Sequence, residues 1–202
     1  MILISRLCLF TLLAALAGCS SPTVRYHTLV APPTAAQNAA PPASFVIEVL
    51  PVGVPAQIDL PQLVVRQGES DALILDNERW LSPLGDEFRS ALSAGLAERL
   101  GTQDVAGLNR TDEKPVVRIR LQVRRFDIWP GRFVRLESDW SLSARNGENR
   151  TQLVCHSRLT ERAEQGDTAM FAAQQQAVAR LTDQIAGTLH RWAANGQGSC
   201  IL

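Results

Sequence analysis

Lysine is almost missing from this chain. Of 20 basic residues only Lys114 is a lysine, and 20 acidic residues balance them to a formal net charge of zero over 202 residues. We attribute the arginine bias to genome composition rather than to function. The absence of a basic excess argues against a nucleic-acid partner. Aromatic residues make up only 5% of the chain, and there are three His and four Cys. His27, His156 and His190 are scattered, none at metal-ligand spacing with another, and no CxxC occurs, so neither a zinc site nor thiol redox catalysis has a sequence basis. GxSxG, GxxxxGK and HExxH are all missing. Glu137 and Asp139 form the one obvious carboxylate pair, but they face Gln122 and Arg124 across a hairpin, where cross-strand pairing accounts for them. His156 falls on the polar face of its strand and reads as solvated. With no convergent cleft of titratable groups, the chain reads as a non-enzyme with no cofactor and no metal.

Long hydrophobic runs are missing too, with one informative near-exception. Residues 1–19 read MILISRLCLFTLLAALAGC, with Arg6 ahead of an apolar core from Leu7 to Leu16. Ten residues are about half of the roughly 20 needed to span a bilayer, so the segment reads as a signal peptide. Leu16-Ala17-Gly18-Cys19 resembles the bacterial lipobox, in which small residues admit the backbone to the peptidase and the Cys sulfur carries diacylglycerol. On that reading residues 1–18 are removed and 202 − 18 = 184 remain. Cys19 then bears the diacylglyceryl thioether and an N-acyl chain, and more than one acyl chain gives stable anchoring. Ser20, not Asp, follows the Cys, which favours the outer membrane and a domain facing the periplasm. Cys155 and Cys200 are left as an even pair in an oxidising compartment. They can close a disulfide, or stay as a buried Cys155 and a frayed, free Cys200.

The remaining pattern is that of one domain. Residues 19–25 form a lipidated tether, residues 26–194 a single α/β domain, and residues 195–202 a C-terminal tail. Residues 31–44, rich in Pro and Ala, read as a flexible connection. Short strands are expected at 26–30, 45–52, 62–66 and 72–76. Ser82-Pro83 opens a helix whose Leu84, Phe88, Leu92, Leu96 and Leu100 recur every four residues until Gly101 stops it. A second helix over 168–193 carries Val178, Leu181, Ile185, Leu189 and Trp192 on one stripe.

Between the helices lie three alternating runs. Val117, Ile119, Leu121 and Val123 alternate with polar residues, Pro130-Gly131 is a turn, and Val134, Leu136, Trp140 and Leu142 alternate again. A two-residue loop there sets Ile119 opposite Leu142, Leu121 opposite Trp140 and Arg124 opposite Glu137. Asn146-Gly147 makes a second hairpin, setting Trp140 opposite Leu153. The expected fold is α+β: a single, mostly antiparallel sheet with two long helices packed on one face, a two-layer sandwich. The same register puts Phe126, Ile128 and Phe133 on the polar face with Trp129 at the tip, a candidate contact surface for protein, acyl chain or membrane. A bulge at Arg124-Arg125 would instead turn Phe126 and Ile128 into the core.

Tyr26-His27-Thr28-Leu29 just after the lipidated Cys, Asn77-Glu-Arg-Trp80-Leu-Ser-Pro83-Leu84 at the first helix, and the hairpin Phe126-Asp127 … Gly131 … Val134-Arg-Leu136 … Trp140 resemble the PqiC-type lipoproteins, the ABC-type transport auxiliary lipoprotein family. The resemblance spans nearly the whole mature chain, although Arg25 stands where the family often has an aromatic residue. It implies a non-catalytic, outer-membrane-anchored periplasmic component of a mammalian-cell-entry (MCE) and ABC-permease lipid transport system. Its implied partner is the MCE tunnel protein, with ATP hydrolysis left to other subunits, and a homo-oligomeric ring is compatible with it. Partner contacts would then fall on Phe126, Ile128, Trp129 and Phe133, and secondarily on Trp80, which is first of all a helix start packed on the sheet. Two other readings stay open: a structural or assembly lipoprotein of the envelope, and a periplasmic lipid-binding carrier.

Overall fold

The computed structural model describes residues 23–32, 42–109, 114–146, 149–195 and 198–201. The signal segment and Cys19 lie outside them. Among the described residues seven strands and two helices follow in the order β1 (Arg25–His27), β2 (Val46–Val49), β3 (Gln62–Arg66), β4 (Ala72–Trp80), α1 (Leu84–Leu100), β5 (Val116–Trp129), β6 (Phe133–Asn146), β7 (Asn149–Arg162) and α2 (Asp167–Asn195).

The expected single, mostly antiparallel sheet is not what forms. The strands divide into a three-stranded sheet, order β1-β4-β3, and a four-stranded sheet, order β2-β5-β6-β7. Each contains one parallel pair, β1 with β4 and β2 with β5. The division has a local cause on β5. β2 pairs only with Val116–Ile119, and the chain then clings to β5 as far as an isolated bridge between Gly53 and Gln122. Just beyond, a bulge between Val123 and Arg125 bends β5. Past the bend β3 lies alongside β5 through side chains, with Arg66 Nε 3.4 Å from Asp127 Oδ1, rather than through a backbone ladder.

The β5–β6–β7 meander follows from alternation. Ile119 faces Leu142 and Leu121 faces Trp140, as the hairpin turn requires. Trp140 faces Cys155 and Leu142 faces Leu153, a two-residue offset from the expected β6–β7 pairing that leaves every side chain on its expected face. The apolar face packs with both helices into one continuous core that also takes in Leu63, Val65 and Trp80 of the smaller sheet. Trp140 Nε1 donates to Ser157 Oγ at 2.8 Å, so this buried ring keeps a polar partner.

Both helices bury the stripes read from the sequence, Leu84 to Leu100 on α1 and Val178 to Trp192 on α2. Pro83 precedes the first turn of α1, and Gly101 ends the helix at φ 57°, a left-handed position that costs glycine little. The helices meet at Gly95, where a Cβ would lie 3.0 Å from the Thr182 side chain, a contact closer than side chains ordinarily make. Arg99 on α1 donates to Asp183 on α2 at 2.5 Å beside that crossing.

Candidate functional site

The candidate contact residues separate into two groups. Phe126 and Ile128 are 3% and 2% exposed, so of the two arrangements left open the outward patch is corrected and the bulge at Arg124-Arg125 holds: they are core. The physical reason is the bulge. Arg125, not Arg124, faces Glu137, and the extra residue reverses the side of the strand on which everything beyond it points. Phe126 then meets Phe88 edge to face, ring centres 5.0 Å apart. Trp80 is 4% exposed and belongs to the core as well, which leaves it no surface to offer a partner.

Trp129 and Phe133 remain half-exposed at the β5–β6 turn. Their ring centres are 5.7 Å apart, and Arg132 lies 4.9 Å from the Trp129 ring and 5.5 Å from that of Phe133. Arg135 lies 5.2 Å over the other flank of Phe133. Two aromatic rings and two guanidinium groups thus share one tip, an arrangement of amphipathic side chains suited to the polar–apolar boundary of a membrane or protein surface.

The same end of the molecule receives the N-terminal strand. Arg25 forms a charged hydrogen bond with Glu78 and donates to Asp167, the first residue of α2, at 2.6 Å. Asp167 first and Glu78 second push the Arg25 pKa further up, so this guanidinium is permanently charged. His27 Nε2 lies 2.5 Å from the second Glu78 oxygen, and its ring stacks on Phe171 at 3.5 Å. Thr28 Oγ1 and the Leu29 N–H both donate to Glu87 Oε2, while the Ser82 N–H and hydroxyl donate to Glu87 Oε1. One buried carboxylate therefore joins the N-terminal segment, the end of β4 and the start of α1. The sequence points to Ser82-Pro83 as the helix start but gives no role to Glu87; Pro83 caps the helix, and Ser82 instead donates to Glu87. The spacing gives no capping-box signal, since Gly85 and not an acid stands three residues after Ser82.

Cys155 and Cys200 are joined in a disulfide with Cα atoms 5.8 Å apart, fastening the tail to β7. On the outer face of the four-stranded sheet, His156 Nδ1 lies 2.7 Å from Asp139 Oδ1, and Arg124 Nε donates to Asp139 Oδ2 at 2.7 Å. His156 first and Arg124 second hold the Asp139 carboxyl below its ordinary pKa, as two donors to an ionised acid must. Among the described residues no group of three or more His, Cys, Asp or Glu is placed to hold a metal, and no helix is long and apolar enough to cross a membrane.

Three comparisons with known proteins bear on this geometry. A family model described as "ABC-type transport auxiliary lipoprotein component" matches residues 27–186. No curated protein sequence matches the chain. Among solved structures, an uncharacterised protein superposes with a TM-score of 0.60 at 20% identity, covering 82% of this chain and 98% of the other. A Xanthomonas campestris protein of the DUF330 family superposes with a TM-score of 0.59 at 18% identity, covering 88% of this chain and 97% of that one. At those identities the two structures speak for the fold alone.

Proposed function

The chain belongs to the ABC-type transport auxiliary lipoprotein component family, and from that premise we propose that it is an outer-membrane lipoprotein facing the periplasm that docks an MCE-type lipid transport apparatus. The observation that carries this reading is the lipobox Leu16–Cys19 standing directly ahead of a family match that begins at His27. In this reading diacylglycerol and an N-acyl chain on Cys19 hold the protein in the leaflet. From Cys19 to docked Arg25 there are six residues, which reach about 20 Å at most at ~3.5 Å each. The domain is therefore held near the membrane, with its N-terminal strand and the Trp129–Phe133 tip toward it. Chemistry and ATP hydrolysis belong to other subunits, and the folded domain, as a single copy or in a ring of copies, receives the tunnel protein.

The test uses the full chain in its own cells: palmitate labelling, membrane fractionation and photo-crosslinking from exposed positions. A labelled outer-membrane protein that captures an MCE-domain protein supports the proposal, with Cys19→Ala abolishing the label. An unlabelled, soluble protein overturns it. A second reading, a lipid-binding carrier, is favoured by one feature. Between α1 and α2 runs a mostly apolar groove of about 490 Å³, lined by Leu29, Ala91, Gly95 and Val178 among others. Native mass spectrometry separates the two readings, because a carrier retains one lipid per groove.

A further inference from the structure

We propose that the outer face of the four-stranded sheet, at the end remote from the N-terminal strand, is a binding site for a phosphate group. A cleft of about 730 Å³ opens there, and its lining includes Lys114, Arg118, Arg120 and Arg145 together with the hydroxyls of Ser141 and Ser143. Among the described residues no Asp or Glu lines it. In a chain of zero net charge that is a strong local asymmetry.

The register explains how the cluster forms. Arg118 and Arg120 alternate on β5 and so project from the same face, and β6 sets Ser143 opposite Arg118 and Ser141 opposite Arg120. Alternate residues on a strand are about 7 Å apart and neighbouring strands about 4.8 Å, so the four side chains frame a patch the size of one phosphate. Guanidinium forks and hydroxyls are the donors that tetrahedral anions take.

Ion pairs already occupy several other arginines of the described residues. Arg25, Arg99, Arg124, Arg125 and Arg180 are all ion-paired, and Arg118 itself donates to Glu48 at 2.5 Å from the edge of the cleft. Arg120 and Arg145 have no such partner among the described residues. Beside the Arg118–Glu48 pair, two guanidinium groups without an ion-pair partner among the described residues, Arg120 and Arg145, share the face with the Ser141 and Ser143 hydroxyls. The cleft lies at the Val116 end of β5, whereas Trp129 and the N-terminal strand lie at the other, roughly 35 Å away along the strand. The occupant is a phosphate ester reaching the face that points away from the N-terminal segment, either a phospholipid headgroup or a soluble ester. This inference does not depend on the lipid anchor or on the transport reading.

The experiment titrates the full-length protein in a neutral detergent, by calorimetry and amide chemical shifts. Its probes are glycerol phosphate, short-chain dihexanoyl phosphatidylglycerol and, as a carboxylate comparison, hexaglutamate. Saturable binding of glycerol phosphate is expected, with shifts at Ser141 and Ser143. Arg120→Gln with Arg145→Gln weakens it at least tenfold, whereas Arg158→Gln, elsewhere on the same face, leaves it unchanged. Circular dichroism confirms that the variants fold. Tighter binding of the phosphatidylglycerol identifies a headgroup site, and equal binding identifies a site for soluble esters. Either supports the proposal. Absence of saturable binding, binding indifferent to the double variant, or hexaglutamate outcompeting both phosphates overturns it, the last because the face would then be a docking surface for acidic protein.

Discussion

Arg124 and Arg125 are chemically alike, yet which of them faces Glu137 decides whether Phe126 is buried. With the bulge in place, Phe126 fills the space beside Phe88 under the four-stranded sheet. Phe126→Ala therefore leaves a cavity and costs about 3–5 kcal/mol of stability in urea unfolding. Trp129→Ala, at the half-exposed tip, forfeits its contacts with Phe133 and Arg132, about 1–2.5 kcal/mol, less than the core change. Equal, small losses at both positions would place Phe126 at the surface. Asp139 makes a second residue-scale test. Its carboxyl is held below its ordinary range by His156 and then Arg124, so whatever it adds to stability is complete above the unfolded value near pH ~3.9 and disappears as pH falls through the folded value. The group is exposed enough for solvent to keep that contribution small. A carboxyl-carbon NMR titration of the protein should find the Asp139 midpoint depressed, and His156→Ala should move it upward. A midpoint unchanged by that substitution would assign the effect to Arg124 alone.

Among the elements, legibility follows the range of the signal. Alternation fixed the faces of β5, β6 and β7, because a strand's period of two survives even a two-residue slip between β6 and β7. The helix stripes were equally plain. What alternation left undecided was the break after Val123, a bulge it allowed without requiring, since Arg124-Arg125 offers a polar residue for either face. Nor could it convey that β1 and β2 join their sheets in parallel, through contacts across 53 and 70 residues, Arg25 with Glu78 and Arg118 with Glu48. Those long-range joints are therefore where element-scale tests belong. Glu87→Gln keeps the shape but removes the charge that four donors share, and it should raise hydrogen exchange at Leu29 and Ser82 while stability falls by about 1–3 kcal/mol. Unchanged exchange at Leu29 would mean that Glu87 does not hold the N-terminal segment. The Cys155–Cys200 bond closes 45 residues of chain, for which loop entropy alone gives an upper figure of about 4 kcal/mol. Cys200→Ser should lower the urea midpoint accordingly, by an amount that reductant reproduces in the parent protein. If neither change moves the midpoint, the tail contributes nothing to the fold.

For the molecule as a whole, direction matters more than shape. Arg25 reaches Asp167 at the start of α2, and the Ala163 N–H donates to the Arg132 carbonyl, so the N-terminal strand and the β5–β6 turn share one end. An anchor on Cys19 would bring that end to the membrane first. Tryptophan offers a direct reading of this orientation, because the chain has four and only one is accessible: Trp80, Trp140 and Trp192 are buried, and Trp129 stands half-exposed at the tip. In vesicles carrying the lipidated protein, brominated phospholipids quench indole only within or close to the bilayer, so quenching should arise from Trp129 and vanish in Trp129→Phe. A Cys19→Ala protein added to the same vesicles should show almost none. Quenching that survives Trp129→Phe would mean the domain opens to expose a core indole. Lipidated protein with no quenching at all would mean that the tip points away from the bilayer, leaving Trp129, Phe133 and their two arginines as a surface for a protein arriving from the periplasm.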